Sequence, residues 1–171
     1  MRGKILPVSI SIVCGLAPLA PANGGNAQPQ PARHVPSVVS GTCNGLKKME
    51  YVTSNIYYEE MATLWEDLPN ASVNFVSSKR GCVVVTFSGA AGTDADDAMF
   101  VQAVLDSGIY CDPWSGGVSY FVGYNAGVSG NSKTYICNNV PPGNHSLKAQ
   151  SYTVNGNGVQ LFGFTLTVSH H

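Results

Sequence analysis

From Cys43 onward the chain alternates short apolar runs with turn chemistry, and few apolar residues recur at helical spacing. Over residues 72–77 (SVNFVS), Val73 and Phe75 alternate with polar neighbours, the period of two that puts every second side chain on one face of a strand. Residues 82–88 (CVVVTFS) are apolar at Val83, Val84 and Val85 in succession, as in a strand covered on both faces. Residues 98–106 alternate Met99, Val101, Ala103 and Leu105. Their alanines suit a helix, but the period of two and the flanking Gly92 and Gly108 predict a strand. Further strands are expected over 47–58, 118–124, 132–138, 145–154 and 159–169. In the last, Phe162, Phe164, Leu166 and Val168 should share one face. Asn155-Gly156-Asn157-Gly158 before it is a hairpin signal, because Asn-Gly accepts positive φ. Residues 59–71 read differently: Met61, Leu64 and Leu68 lie at helical spacing up to Pro69, predicting a helix or long loop.

About eight short strands separated by turn signals predict the all-β class. The expected architecture is a two-sheet antiparallel sandwich, jelly-roll-like, with an immunoglobulin-like topology as the alternative.

The N-terminus breaks from this pattern. Met1-Arg2-Gly3-Lys4 is basic, residues 5–20 are apolar and almost uncharged, and Ala20-Pro21-Ala22 is a small-x-small site. These are the three parts of a secretory signal, assigned to residues 1–22. The run is too short, and too broken by Pro7, Gly15 and Pro18, to span ~30 Å of hydrocarbon. Cys14 lacks the Leu-like and small residues that a lipid-modified cysteine wants before it, since Ser11 and Val13 occupy those positions. Residues 23–42 are rich in Gly, Asn and Pro without periodicity and read as a flexible leader. The sandwich domain then occupies 43–171, and the expected location is secreted or periplasmic.

Removing the signal leaves 7 of the 9 basic residues against 10 acidic ones. A net charge so near neutral argues against nucleic acid as a partner, which is held by strong phosphate attraction. No second apolar run approaches the ~20 residues of a membrane span.

Of the five cysteines, Cys43, Cys82, Cys111 and Cys137 follow the signal, and an even number in an exported chain predicts a disulfide framework. Cys43–Cys82 and Cys111–Cys137 are preferred because each closes a moderate loop. Zinc is the rival, but no C-x-x-C spacing is present.

Candidate chemistry is sparse. Asp94, Asp96 and Asp97 crowd one turn and could give oxygens to Ca²⁺, although the EF-hand pattern fails. Otherwise no cofactor is expected. His145 is the histidine inside the domain, and a Ser–His–Asp set can be drawn from Ser146 or Ser88, His145 and Asp112, but there is no G-x-S-x-G elbow. The segment Cys111-Asp112-Pro113-Trp114-Ser115-Gly116-Gly117 reads better as a disulfide-anchored binding loop. It presents Tyr110, Asp112 and Trp114, with Tyr120 following. Rigidly held aromatics stack on sugars or anchor a protein partner.

Across residues 72–170 the runs SVNF, GCVVVTFSG, PPGNHSLKAQ and FTLTVSH resemble small exported bacterial β-sandwich domains of undetermined function, jelly-roll-like in the broad manner of C1q/TNF-type domains. The resemblance implies a fold and transfers no active-site residue. The expectation is an exported, non-enzymatic binding or interaction module for an unknown glycan or protein. A self-associating (homo-oligomeric) surface protein and a secreted hydrolase are the alternatives.

Overall fold

The structure, a computed structural model, describes residues 43–93, 96–113 and 120–171. The expected signal and leader lie outside the described residues. Among the described residues nine strands follow one another: β1 Lys48–Ser54, β2 Tyr58–Glu60, β3 Glu66–Ser77, β4 Gly81–Gly92, β5 Met99–Leu105, β6 Ile109–Tyr110, β7 Ser129–Val140, β8 Gly143–Thr153 and β9 Val159–His170. Sheet A has the order β1-β9-β4-β7, with β2 also on β9; sheet B has the order β3-β8-β5-β6. All named pairs are antiparallel. Because β1 and β2 pair with successive parts of β9, they act as one strand interrupted at 55–57. Among the described strands the chain then changes sheet at every connection except the β5–β6 hairpin, and β1 lies beside β9. This is a jelly-roll-like sandwich.

Alternation decides which side chains fill the space between the sheets. Val85 and Phe87 of β4 and Leu166 and Val168 of β9 meet Val101 and Leu105 of β5 and Leu147 of β8 in one apolar core. Phe87 contacts Phe121 and Phe164 at ring distances of 5.0 and 5.3 Å. The Tyr135 hydroxyl of β7 crosses this core to donate to the Val101 carbonyl of β5 at 2.6 Å. Burial pushes that hydroxyl well above the ordinary phenol range.

Among the described residues two disulfides form, with the expected pairings Cys43–Cys82 and Cys111–Cys137. The second ties the chain just after β6 in sheet B to β7 in sheet A, so it fastens one sheet to the other.

Several local expectations are corrected. Residues 59–71 hold no helix: β2 ends at Glu60 and β3 begins at Glu66. Pro69 is accommodated because β3 is an edge strand and its register with β8 shifts between Asp67 and Ser72, the setting in which a strand tolerates a missing N–H. Met61 and Leu64 are exposed and only Leu68 is buried. Within the expected strand 118–124, the described part, 120–124, makes a single bridge between Val122 and Met99.

The turn 155–158 uses positive φ at Gly156 and Gly158, yet it joins no hairpin. It carries the chain from β8 in sheet B to β9 in sheet A. Phe162 is not on the core face with Phe164. Ala91 of β4 pairs with Leu161 and Gly89 with Phe164, so β9 carries one extra residue there. This bulge turns Leu161 and Phe164 both inward and Phe162 out.

Candidate aromatic binding face

The outer face of sheet B is built from the alternate residues the core does not use: Phe100, Gln102 and Val104 of β5 beside Tyr152, Gln150 and Lys148 of β8. Antiparallel register puts Phe100 directly opposite Tyr152, and their rings stack at 4.9 Å with a 3° interplanar angle. Trp65, immediately before β3, meets Tyr152 edge-on at 4.6 Å. Tyr120 meets Phe100 at 4.7 Å, and Tyr124 meets Tyr120 at 5.5 Å. Five rings thus form a continuous row across the face. Phe100 is its buried centre, whereas Tyr120 and Tyr124 remain 44% and 42% exposed.

One step along the strands lies a polar chain. Gln102 donates to Gln150 at 2.8 Å, Gln150 donates to Asp67 at 2.8 Å, and Lys148 donates to the other Asp67 oxygen at 2.6 Å. The Lys148 and Gln150 hydrogen bonds hold the Asp67 carboxyl below the usual carboxylate range. The ammonium and carboxylate cancel, so the polar row beside the rings is neutral overall. Desolvation, then a hydrogen bond with Tyr120 and the charges of Asp96 and Asp97, raise the Tyr124 hydroxyl. Tyr152 is raised by burial and by Tyr120. Both phenols are therefore neutral hydrogen-bonding groups at ordinary pH.

The sequence-predicted loop residues are not all gathered here. Tyr120 is in the row. Tyr110 pairs with Val104 in β6, four residues of β5 away from Phe100 or about 13 Å. Asp112 is half-buried, and its backbone exchanges two hydrogen bonds with Ile136 of β7 at 2.9 and 2.6 Å. Trp114 lies outside the described residues. Trp65, Phe100 and Tyr152 were not anticipated as site residues. Tyr152 was legible from the parity of its strand, but Trp65 stood in the segment read as helix.

The acidic turn is also rearranged. Asp97 is fully buried, and its Oδ1 accepts from the backbone N–H of Ala98, Val154 and Asn155 at 2.7–2.9 Å. Its Oδ2 accepts from Asn157 N–H at 2.8 Å. Burial opposes the charge, but the four donors together keep the carboxyl below its ordinary value. A carboxylate ringed by N–H groups ties the crossover turn to β5. Asp96 is exposed and Asp94 lies outside the described residues. Among the described residues, no group of three His, Cys, Asp or Glu side chains is placed to hold a metal ion.

The Ser–His–Asp set dissolves as well. His145 lines a cleft of about 420 Å³ with Phe75, Asp106 and Ser146. Its partner is Asp106 and not Asp112: Nδ1 lies 2.8 Å from Asp106, while Nε2 lies 2.9 Å from the Pro141 carbonyl. Neither ring nitrogen is left to take a proton from Ser146. Ser88 belongs to β4, in the other sheet. The terminal histidines, unremarkable in sequence, are buried. His170 packs on Phe75 at 4.8 Å, and His171 hydrogen-bonds the Gly45 carbonyl at 3.0 Å.

Fold and site together define a disulfide-tied β-sandwich with an aromatic row on one outer face. No protein-family model matches the chain, and no curated protein matches it. A solved structure of infectious bursal disease virus, Gx strain, is similar at 13% identity and a TM-score of 0.34 over 82% of this chain. The match spans 38% of that viral chain.

Proposed function

We propose that the protein is an exported, non-enzymatic binding module whose contact surface is the aromatic row of sheet B, and that its ligand is a neutral polysaccharide. The observation that carries this is the placement of Tyr120 and Tyr124, half exposed, at the end of a row of touching rings beside amide and carboxylate side chains. Sugar rings offer apolar C–H faces to stack on aromatics and hydroxyls to pair with amides, carboxylates and phenols, and this surface supplies both. Internal neutralisation of Asp67 by Lys148 favours an uncharged ligand over an acidic one. Export is supported by the signal-like residues 1–22 and by two disulfides, which persist in oxidising compartments.

The test is titration calorimetry with cellohexaose, xylohexaose, mannohexaose and chitohexaose. Tyr120→Ala and Trp65→Ala should each weaken the bound sugar about tenfold, or ~1.4 kcal/mol, with the thermal midpoint little changed. Binding unaltered by both variants would remove the site. A second reading, self-association, is favoured by exposed Met49 and Tyr51 on the edge strand β1. It predicts a dimer by sedimentation that Tyr51→Lys dissociates.

A further inference from the structure

The bulge in β9 creates a second feature, on the opposite sheet. Between Leu161 and Phe164 the strand must fit one residue more than β4 offers, and Gly163 takes φ +134° to do so. A side chain there would put its Cβ 2.9 Å from the Ser54 carbonyl oxygen, and one at Gly89 would put it 2.5 Å from the Gly163 oxygen. Both positions are held to glycine by this close backbone approach. Beside them the outer face of sheet A is hollowed into a depression of about 350 Å³, lined by Thr53, Asn55, Ser88, Phe162 and Thr165 with the two glycines.

Three properties of this depression point to a ligand. Its lining contains no charged side chain. Its wall is aromatic: the bulge leaves Phe162 42% exposed, braced edge-on at 5.6 Å by Tyr57, itself 52% exposed. Its polar groups are available. Thr53 and Thr165 hydroxyls share one long contact of 3.5 Å, and among the described residues the Asn55 amide and the Ser88 hydroxyl make no side-chain hydrogen bond. An exposed aromatic ring beside free hydroxyl and amide groups suits a ligand with one apolar face and a rim of hydroxyls.

We propose that this depression is a second subsite for a neutral sugar unit, with Phe162 as the stacking ring and Asn55, Ser88 and Thr165 as hydroxyl partners. It shares its ligand class with the reading above but none of its residues, and it lies on the other sheet. The domain then presents two separate saccharide sites on opposite faces and can bridge two polysaccharide chains, gaining avidity without new contacts.

Calorimetry with cellotriose, xylotriose, mannotriose and chitotriose, each too short to reach both faces, separates the two proposals. The wild-type chain should bind two equivalents of one of them. Phe162→Ala, and independently Thr165→Lys, which puts a charged chain into the depression, should each leave one. Tyr120→Ala should weaken the other about tenfold and leave the Phe162 equivalent unchanged. Unchanged stoichiometry and affinity in both Phe162→Ala and Thr165→Lys would overturn the second subsite while leaving the sheet B site standing. Loss confined to those two variants, with Tyr120→Ala neutral, would support the subsite and overturn the sheet B reading. No heat with any of the four sugars would overturn both.

Discussion

Replacing Asp97 by Asn tests how the sandwich holds its crossover. The carboxylate collects four backbone N–H donors from two segments, Ala98 at the head of β5 and Val154, Asn155 and Asn157 in the β8–β9 connection. Asn keeps one oxygen but turns an NH₂ towards the Asn157 N–H, so that bond is lost outright. The other three fall from charge-assisted to neutral, about half the strength. Val154 N–H keeps a share of the Ala98 carbonyl at 3.1 Å, and the loop residues admit water, so the low end of the usual range applies. At about 1.5 kcal/mol for the lost bond and ~0.5 for each weakened one, Asp97→Asn should cost roughly 3 kcal/mol. With a urea slope of about 2 kcal/mol per molar, the midpoint should fall by about 1.5 M at pH 7 with its slope unchanged. The pH dependence has a definite sign. Folding lowers the Asp97 pKa, so the stabilisation is complete above the unfolded value near ~3.9 and drains as pH falls through the folded one. The wild-type lead should therefore be full at neutral pH and shrink below about pH 4. A midpoint shift under about 0.3 M, or a lead that stays constant down to pH 2, would refute the role given to this carboxylate.

Other changes probe the ties between the sheets. Cys111→Ser with Cys137→Ser opens a loop of 26 residues and should lower unfolding free energy by about 3.5 kcal/mol on the loop-entropy model; stability equal to wild type in oxidising buffer would contradict an intersheet staple. Tyr135→Phe deletes the 2.6 Å bond to the Val101 carbonyl and should cost about 1 kcal/mol by chemical denaturation. A neutral or stabilising result would mean that this contact adds nothing to the core.

The sequence carried the class of fold because period-two alternation survives in β3, β4, β5 and β8, where one face meets the core. It misled where a single backbone event changes the parity. The extra residue at Phe162–Gly163 reverses the outward direction, and alternation alone has no marker for it beyond the glycine itself. Residues 59–71 looked helical because three apolar residues fell at suitable spacing, whereas edge-strand pairing and the shift around Pro69 decided otherwise. Asn155–Gly158 signalled a turn correctly, but turn chemistry is local and does not say which sheet the next strand joins. Disulfide pairing was legible from loop length. The aromatic row was not, since Trp65, Phe100, Tyr120 and Tyr152 come from four separate parts of the chain and meet only through register. The structural role of Asp97 was not legible because composition records its charge and not the four N–H groups that surround it.

The most direct examination of the proposed polysaccharide surface is amide chemical-shift mapping of the labelled chain during titration with the tightest-binding hexasaccharide. Saturable shifts should concentrate at Trp65, Phe100, Tyr120, Tyr124, Gln150 and Tyr152 on the outer face of sheet B. Shifts that avoid these residues and gather instead around His145 and Asp106, or along β1, would contradict the account.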